Sequence, residues 1–117
     1  MVHRVLIRAL PELVSWAVGR RARFRVAGAS MAPTLAAGDH ILVDLGAYRS
    51  AAPRPGEVVL ARHPYRTDVR MVKRVAAVAE DGRCALAGDN PDESADSRSF
   101  GWVPRGLVLG RVVLRLG

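Results

Sequence analysis

Apolar residues in the first eighteen positions recur at helical spacing. Val2, Val5, Leu6, Ala9, Leu10, Leu13, Val14 and Ala17 form one stripe. Pro11 and Glu12 suit a first helical turn, so the pattern predicts a short helix over Pro11–Val18, stopped at Gly19. Beyond that point the period changes from helical to two. His40–Asp44 is a short apolar run after a Gly38-Asp39 turn, and the Pro/Gly-rich loop Ala51–Gly56 leads into Glu57–Arg62. His63-Pro64-Tyr65 breaks that strand, Val69–Ala79 is a longer one, and Glu80–Arg83 turns it. Cys84–Ala87 is brief, Gly88–Gly101 reads as a polar loop, and Leu107–Leu116 alternates loosely around Gly110 and Arg111. The predicted fold is mainly β: a small antiparallel sheet or barrel-like domain with one N-terminal helix. Residues 1–25 read as the helix and a basic segment, and residues 26–117 as the β domain.

Length and charge narrow the picture. At 117 residues one domain is expected, and 50% hydrophobic residues suffice for a modest core. The formal charge is +7, and 17 of the 18 basic residues are arginine; the exception is Lys73. Such charge suits a nucleic-acid or anionic-membrane partner. However, the arginines are dispersed apart from Arg20, Arg21, Arg23 and Arg25, and aromatic platforms for bases are few, so no nucleic-acid partner is expected. The longest uncharged stretch, Val26–Gly38, has 13 residues, against the roughly 20 that a spanning helix needs. Arg8 and Glu12 interrupt any secretion signal. A cytoplasmic address is therefore expected, with the basic N-terminal helix as the means of any peripheral membrane contact. Cys84 is alone, and His3, His40 and His63 lack metal-ligand spacing, so no metal or other cofactor is expected. The sequence is silent on oligomeric state.

The single lysine carries the candidate chemistry. Alternation along the strand puts Val69, Met71, Lys73 and Val75 on one face, and Arg70, Val72, Arg74 and Ala76 on the other. A lysine on an apolar face loses hydration, which disfavours its charged form. From a reference pKa of about 10.4, a shift of roughly 3–4 units makes it a competent general base. From the pattern alone, a lysine that snorkels its amine to water is the commoner outcome. A partner nucleophile decides between them. Ser30, in Gly28-Ala29-Ser30-Met31-Ala32-Pro33-Thr34-Leu35, sits where small residues and proline turn the chain tightly. In the polar loop, Asp89 and Asn90 read as turn formers. The loop reads either as solvated chain or as one in which Ser94 orients the lysine amine and Asp96 pairs with Arg98 to hold it.

Three ordered blocks resemble the type I signal peptidase family, which are serine–lysine proteases. Ser30–Leu35 with Gly38-Asp39 resembles the nucleophile block and Lys73-Arg74-Val75 the general-base block. Gly88-Asp89-Asn90, Ser94, Asp96-Ser97-Arg98 and Gly101 resemble the C-terminal block. The resemblance implies a signal-peptidase-type fold over residues 26–117. It makes Ser30 the nucleophile, Lys73 the general base, Ser94 the lysine-orienting hydroxyl, and Asp96 and Arg98 a structural ion pair. Some members carry a hydroxyl two residues before the nucleophile. Here that position is Gly28, which leaves the oxyanion to backbone N–H groups, including that of Ser30. Arg62–Arg66 leading to Met71–Arg74, and Ser97–Val103, resemble the compact bacterial subgroup of nickel-type superoxide dismutase maturation proteases. That subgroup implies a precursor-polypeptide substrate, a nickel superoxide dismutase proprotein from which an N-terminal extension is removed.

Other readings stay open on the sequence. The same chemistry fits a signal peptidase I-like enzyme processing exported preproteins at the membrane surface. A basic nucleic-acid-binding β module leaves the ordered blocks unexplained, and a self-cleaving regulator lacks an internal cleavage linker. A triad of Ser30 with His63 or His40 and an aspartate is a further geometry.

Overall fold

The structure, a computed structural model, describes residues 20–93 and 97–117. Six strands form one antiparallel sheet: β1 (Arg21–Arg25), β2 (His40–Asp44), β3 (Val58–Arg62), β4 (Arg70–Val78), β5 (Cys84–Ala87) and β6 (Val108–Arg115). Their spatial order is β1-β2-β6-β3-β4-β5. This is the mainly β, antiparallel fold that the period-two pattern predicts. The helix predicted over Pro11–Val18 lies outside the described residues.

One strand was hidden by its charge. Arg21–Arg25, which the sequence assigns to a basic segment ahead of the β domain, pairs with β2 in the register Arg21↔Asp44 to Arg25↔His40. Its arginines alternate with Ala22 and Phe24, and Phe24 packs against the core beside its partner Ile41. The alternation is the strand signal; the arginines mask it by reading as a solvated cluster. The polar stretch after β5 also holds more order than a loop. It contains a 3₁₀ turn, Pro91–Glu93, and a single helical turn, α1 (Ser97–Phe100). The Ser97 hydroxyl accepts the Leu86 N–H at 2.7 Å, and Phe100 is buried, so α1 is tied to β5 at both ends.

Both faces of the sheet are covered. Val59 and Ala61 of β3 join Val75, Cys84, Leu86, Phe100, Val103 and Val108 in one cluster. Leu60, between them, joins Val26, Met31, Leu35, Ile41 and Val43 in the other. A strand buried on both sides reads as a continuous apolar run, which is how β3 appears in sequence.

Gly110 is required by close packing. β6 shifts register against β2 between Leu42 and Val43, and against β3 between Leu60 and Ala61. A Cβ at Gly110 would stand 2.5 Å from the Asp44 carbonyl oxygen and 2.8 Å from Val43 Cγ1. Backbone cannot swing aside as a side-chain tip can, so Gly110→Ala should destabilise the fold by about 1–3 kcal/mol. Urea titration checks this, and an unchanged midpoint would show that the strands separate freely.

The curl of the sheet makes a cleft. In a flat sheet β1 and β4 would lie about 19 Å apart, four strand spacings. Instead the Arg70 guanidinium of β4 stacks 5.2 Å from the centre of the Phe24 ring of β1. Every neighbouring pair is antiparallel. Strands four steps apart therefore point the same way, so β1 and β4 run in one direction on the two sides of the cleft.

Candidate active site

Ser30 sits in the loop joining β1 to β2. Its base is closed by Val26 N–H to the Asp39 carbonyl and by Gly38 N–H to the Val26 carbonyl, each 2.8 Å. The next residue, Met31, is fully buried and Leu35 nearly so, and one helical turn links Leu35 N–H to the Met31 carbonyl at 2.9 Å. Burial of Met31 pins the backbone of Ser30 from the core side. Gly28 has φ +76°, in the left-handed region that favours glycine. The position where some family members carry a hydroxyl is thus one where a side chain is conformationally costly.

Lys73 lies mid-strand on β4, opposite Val59, and is 5% exposed. The predicted alternation holds: Met71 and Val75, its neighbours on the same face, pack into the Val59 cluster, and Val72 packs into the other. The opposite face keeps Arg70 and Arg74, as the alternation predicts, with Val72 between them reaching the second cluster.

Ser30 and Lys73 line one cleft of about 740 Å³. Its walls are consecutive runs, Arg23–Ala27 and Asp68–Lys73, so strand edges rather than strand faces border it. Among the described residues β1 has a strand neighbour on one side only. β5 pairs with β4 only from Arg74 onward, which leaves the Arg70–Lys73 edge open among the described residues. No acceptor among the described residues takes the Ser30 N–H, consistent with a backbone oxyanion donor.

The two walls are braced by a dipeptide that the sequence reading took for a turn. Asn90 donates its N–H to the Ser30 carbonyl at 2.9 Å and its side-chain amide to the Ala29 carbonyl at 3.1 Å. Asp89 accepts the Thr34 hydroxyl at 2.5 Å. It also takes two bonds from Arg74, the residue after Lys73, at 2.9 and 2.8 Å. Arg74 continues to the Gly56 carbonyl at 2.7 Å. The hydrogen-bonded Arg74 guanidinium holds the Asp89 carboxyl below the usual carboxylate range, with help from Thr34 against partial burial. Asp89 in turn raises Arg74. These are positioning residues.

Of the other predicted site residues, Arg98 lies exposed on α1, whereas Ser94 and Asp96 lie outside the described residues. His63 lines the cleft and His40 does not. The Nδ1 of His63 accepts the Tyr65 and Arg66 N–H groups, both at 3.1 Å. A triad histidine needs Nδ1–H aimed at a carboxylate, so this geometry disfavours the triad. Among the described residues no three His, Cys, Asp or Glu side chains gather as metal ligands.

Residues 4–84 and 76–116 match the family described as signal peptidase, peptidase S26. The chain belongs to the peptidase S26 family. Among its relatives, mitochondrial inner membrane protease subunit 1 of Xenopus tropicalis is 32% identical over 108 residues, covering 76% of this chain and 65% of the relative. The mitochondrial ATP-independent inner membrane protease subunit 1a of Arabidopsis thaliana is 36% identical over 114 residues, covering 78% and 67%. Signal peptidase I of Aquifex aeolicus is 34% identical over 58 residues, covering 50% and 23%. The chain thus spans about two-thirds of the length of its inner-membrane relatives. These S26 relatives overturn the cytoplasmic address expected from sequence, because mitochondrial inner membrane proteases belong to a membrane. The expectation rested on the lack of a spanning stretch. No helix among the described residues is long and apolar enough to cross a bilayer, and that fact does not decide association with one.

Proposed function

We propose that this S26 chain is a serine endopeptidase that removes N-terminal leaders from precursor polypeptides at a membrane, with Ser30 as nucleophile and Lys73 as general base. The observation that carries this is the shared cleft: a serine and a buried lysine on two walls whose open strand edges run in one direction. A neutral Lys73 amine takes the Ser30 hydroxyl proton as Oγ attacks the scissile carbonyl. The Ser30 N–H supports the tetrahedral oxyanion. Lys73 then returns the proton to the leaving amine, and water hydrolyses the acyl-enzyme. By family resemblance Ser94 orients the lysine amine, and Asp96 with Arg98 holds the loop that carries it. The substrate lies as an added strand against the open edges, and by family resemblance small residues precede the cut.

The relatives named as inner membrane proteases and as a signal peptidase support the reading in which exported preproteins are the substrates. The narrower reading, a nickel superoxide dismutase proprotein, draws its support from the resemblance of Arg62–Arg66 and Ser97–Val103 alone. One assay separates them: purified protein with lipid vesicles, offered an exported preprotein and a nickel superoxide dismutase proprotein in parallel. The expected result is one cut in the exported preprotein, mapped by N-terminal sequencing. Cleavage of the dismutase proprotein only would overturn the membrane reading, and cleavage of neither would overturn the peptidase assignment.

A further inference from the structure

Three guanidinium groups border the candidate cleft upstream of the reacting residues. Arg23 and Arg25 are exposed on β1, and Arg70 is exposed at the start of β4. No carboxylate among the described residues pairs with any of them; the ion pairs of the sheet engage Arg20, Arg74, Arg83, Arg111 and Arg115 instead. Arg70 is steadied by the Phe24 ring at 5.2 Å, a stacking that leaves the guanidinium edge open for hydrogen bonds. Among the described residues the cleft contains one opposing carboxylate, Asp68.

Strand direction decides which half of a substrate meets these charges. β1 runs toward the Ser30 loop, and the open half of β4 runs from Arg70 to Lys73. A peptide whose scissile carbonyl faces Ser30, and whose preceding residues fill the cleft, lies parallel to both strands. Its residues before the cut then pass Arg70 and Arg25. Arg70 is three positions before Lys73, which at strand rise is roughly 10 Å from the reacting carbonyl. The three arginines therefore flank the substrate about three to five residues before the bond that is cut.

We infer that this enzyme selects leaders carrying aspartate or glutamate about three to five residues before the scissile bond, read by Arg23, Arg25 and Arg70. The inference rests on the peptidase reading of the cleft. An extended peptide is favoured over a nucleic acid or a lipid headgroup because the same walls offer open backbone edges. Those edges need N–H and C=O partners, which only a polypeptide supplies along its length.

The test is binding to the full chain carrying Ser30→Ala, which traps substrate. Two fluorescein-labelled peptides have alanine at the first and third positions before the bond. They differ only in two glutamates or two glutamines at the fourth and fifth. At low salt the glutamate peptide should bind about 10-fold tighter, and the gap should close as salt rises. Arg23→Gln with Arg25→Gln, both at exposed positions, should bring the glutamate peptide down toward the glutamine one. Arg25→Glu should favour a lysine version of the peptide. Equal binding of the first two peptides would overturn acid selection and leave the peptidase reading standing. Tighter competition by anionic vesicles or a DNA oligonucleotide than by the glutamate peptide would overturn it in favour of those partners. A Ser30 enzyme that binds the glutamate peptide preferentially yet cuts neither would count against the peptidase reading alone.

Discussion

Replacing Lys73 by methionine should lower cleavage by at least about 10³-fold while the protein stays folded. The two effects separate because of where the residue sits. Met71 and Val75 flank it on the same face and Val59 lies opposite, so a linear apolar side chain of similar length fits the position. A melting temperature within about 5 °C of wild type is expected. Ser30→Ala should cost as much activity, and the double variant no more than either single one, because nucleophile and base act as a unit. Cleavage followed by mass spectrometry, with a thermal melt on the same sample, checks both parts. Retention of wild-type activity within tenfold in Lys73→Met would remove lysine from the base role.

Asp89→Asn should reduce kcat by about 10–100-fold with a smaller change in KM, although Asp89 does no chemistry itself. Its carboxylate joins the Ser30 loop, through Thr34, to Arg74 beside Lys73. Without the charge, the paired bonds to Arg74 weaken and the two walls lose their common reference. Arg74 is 36% and Asp89 19% exposed, so the stability loss is held to about 1 kcal/mol by solvent screening. The sign of the pH dependence follows from the depressed carboxyl. A group whose value falls on folding stabilises the native state above its unfolded value, near pH 4, and stops doing so as pH drops through the folded value. Wild type and Asp89→Asn should therefore differ in melting temperature at neutral pH and converge in strong acid. Asp89→Glu should recover part of kcat. A constant difference in melting temperature at all pH values would show that the carboxylate charge is irrelevant to the brace.

The sheet and the lysine were readable from local pattern, because period two and Gly/Pro turns are local properties. Lys73 falls on a buried face by simple alternation, and β2 to β6 follow from apolar runs between turns. β1 was obscured because arginines occupy its outward positions, although Ala22, Phe24 and Val26 alternate with them. The brace was unreadable for a different reason. Thr34 to Asp89 spans 55 residues and Ala29 to Asn90 spans 61, and no periodicity encodes a contact between loops. Asp89 and Asn90 do carry ordinary turn chemistry, so their second role emerges only when the chain closes. The roles of Ser94 and of the Asp96–Arg98 pair remain what family resemblance implies. The cytoplasmic expectation rested on the lack of a spanning stretch, and a spanning helix is one way among several to reside at a bilayer.

Because the brace grips the Ser30 loop and the Lys73 strand directly, alignment of the two groups does not depend on the length of chain between them. The brace meets the β2–β3 connection at the Gly56 carbonyl, whereas Ala51 and Ala52 near its tip are exposed. That makes the tip a place where residues can be grafted, whether a purification handle, a fluorophore site or a tethering segment, without re-engineering the pair. In this chain the crosswise tie is the part to preserve.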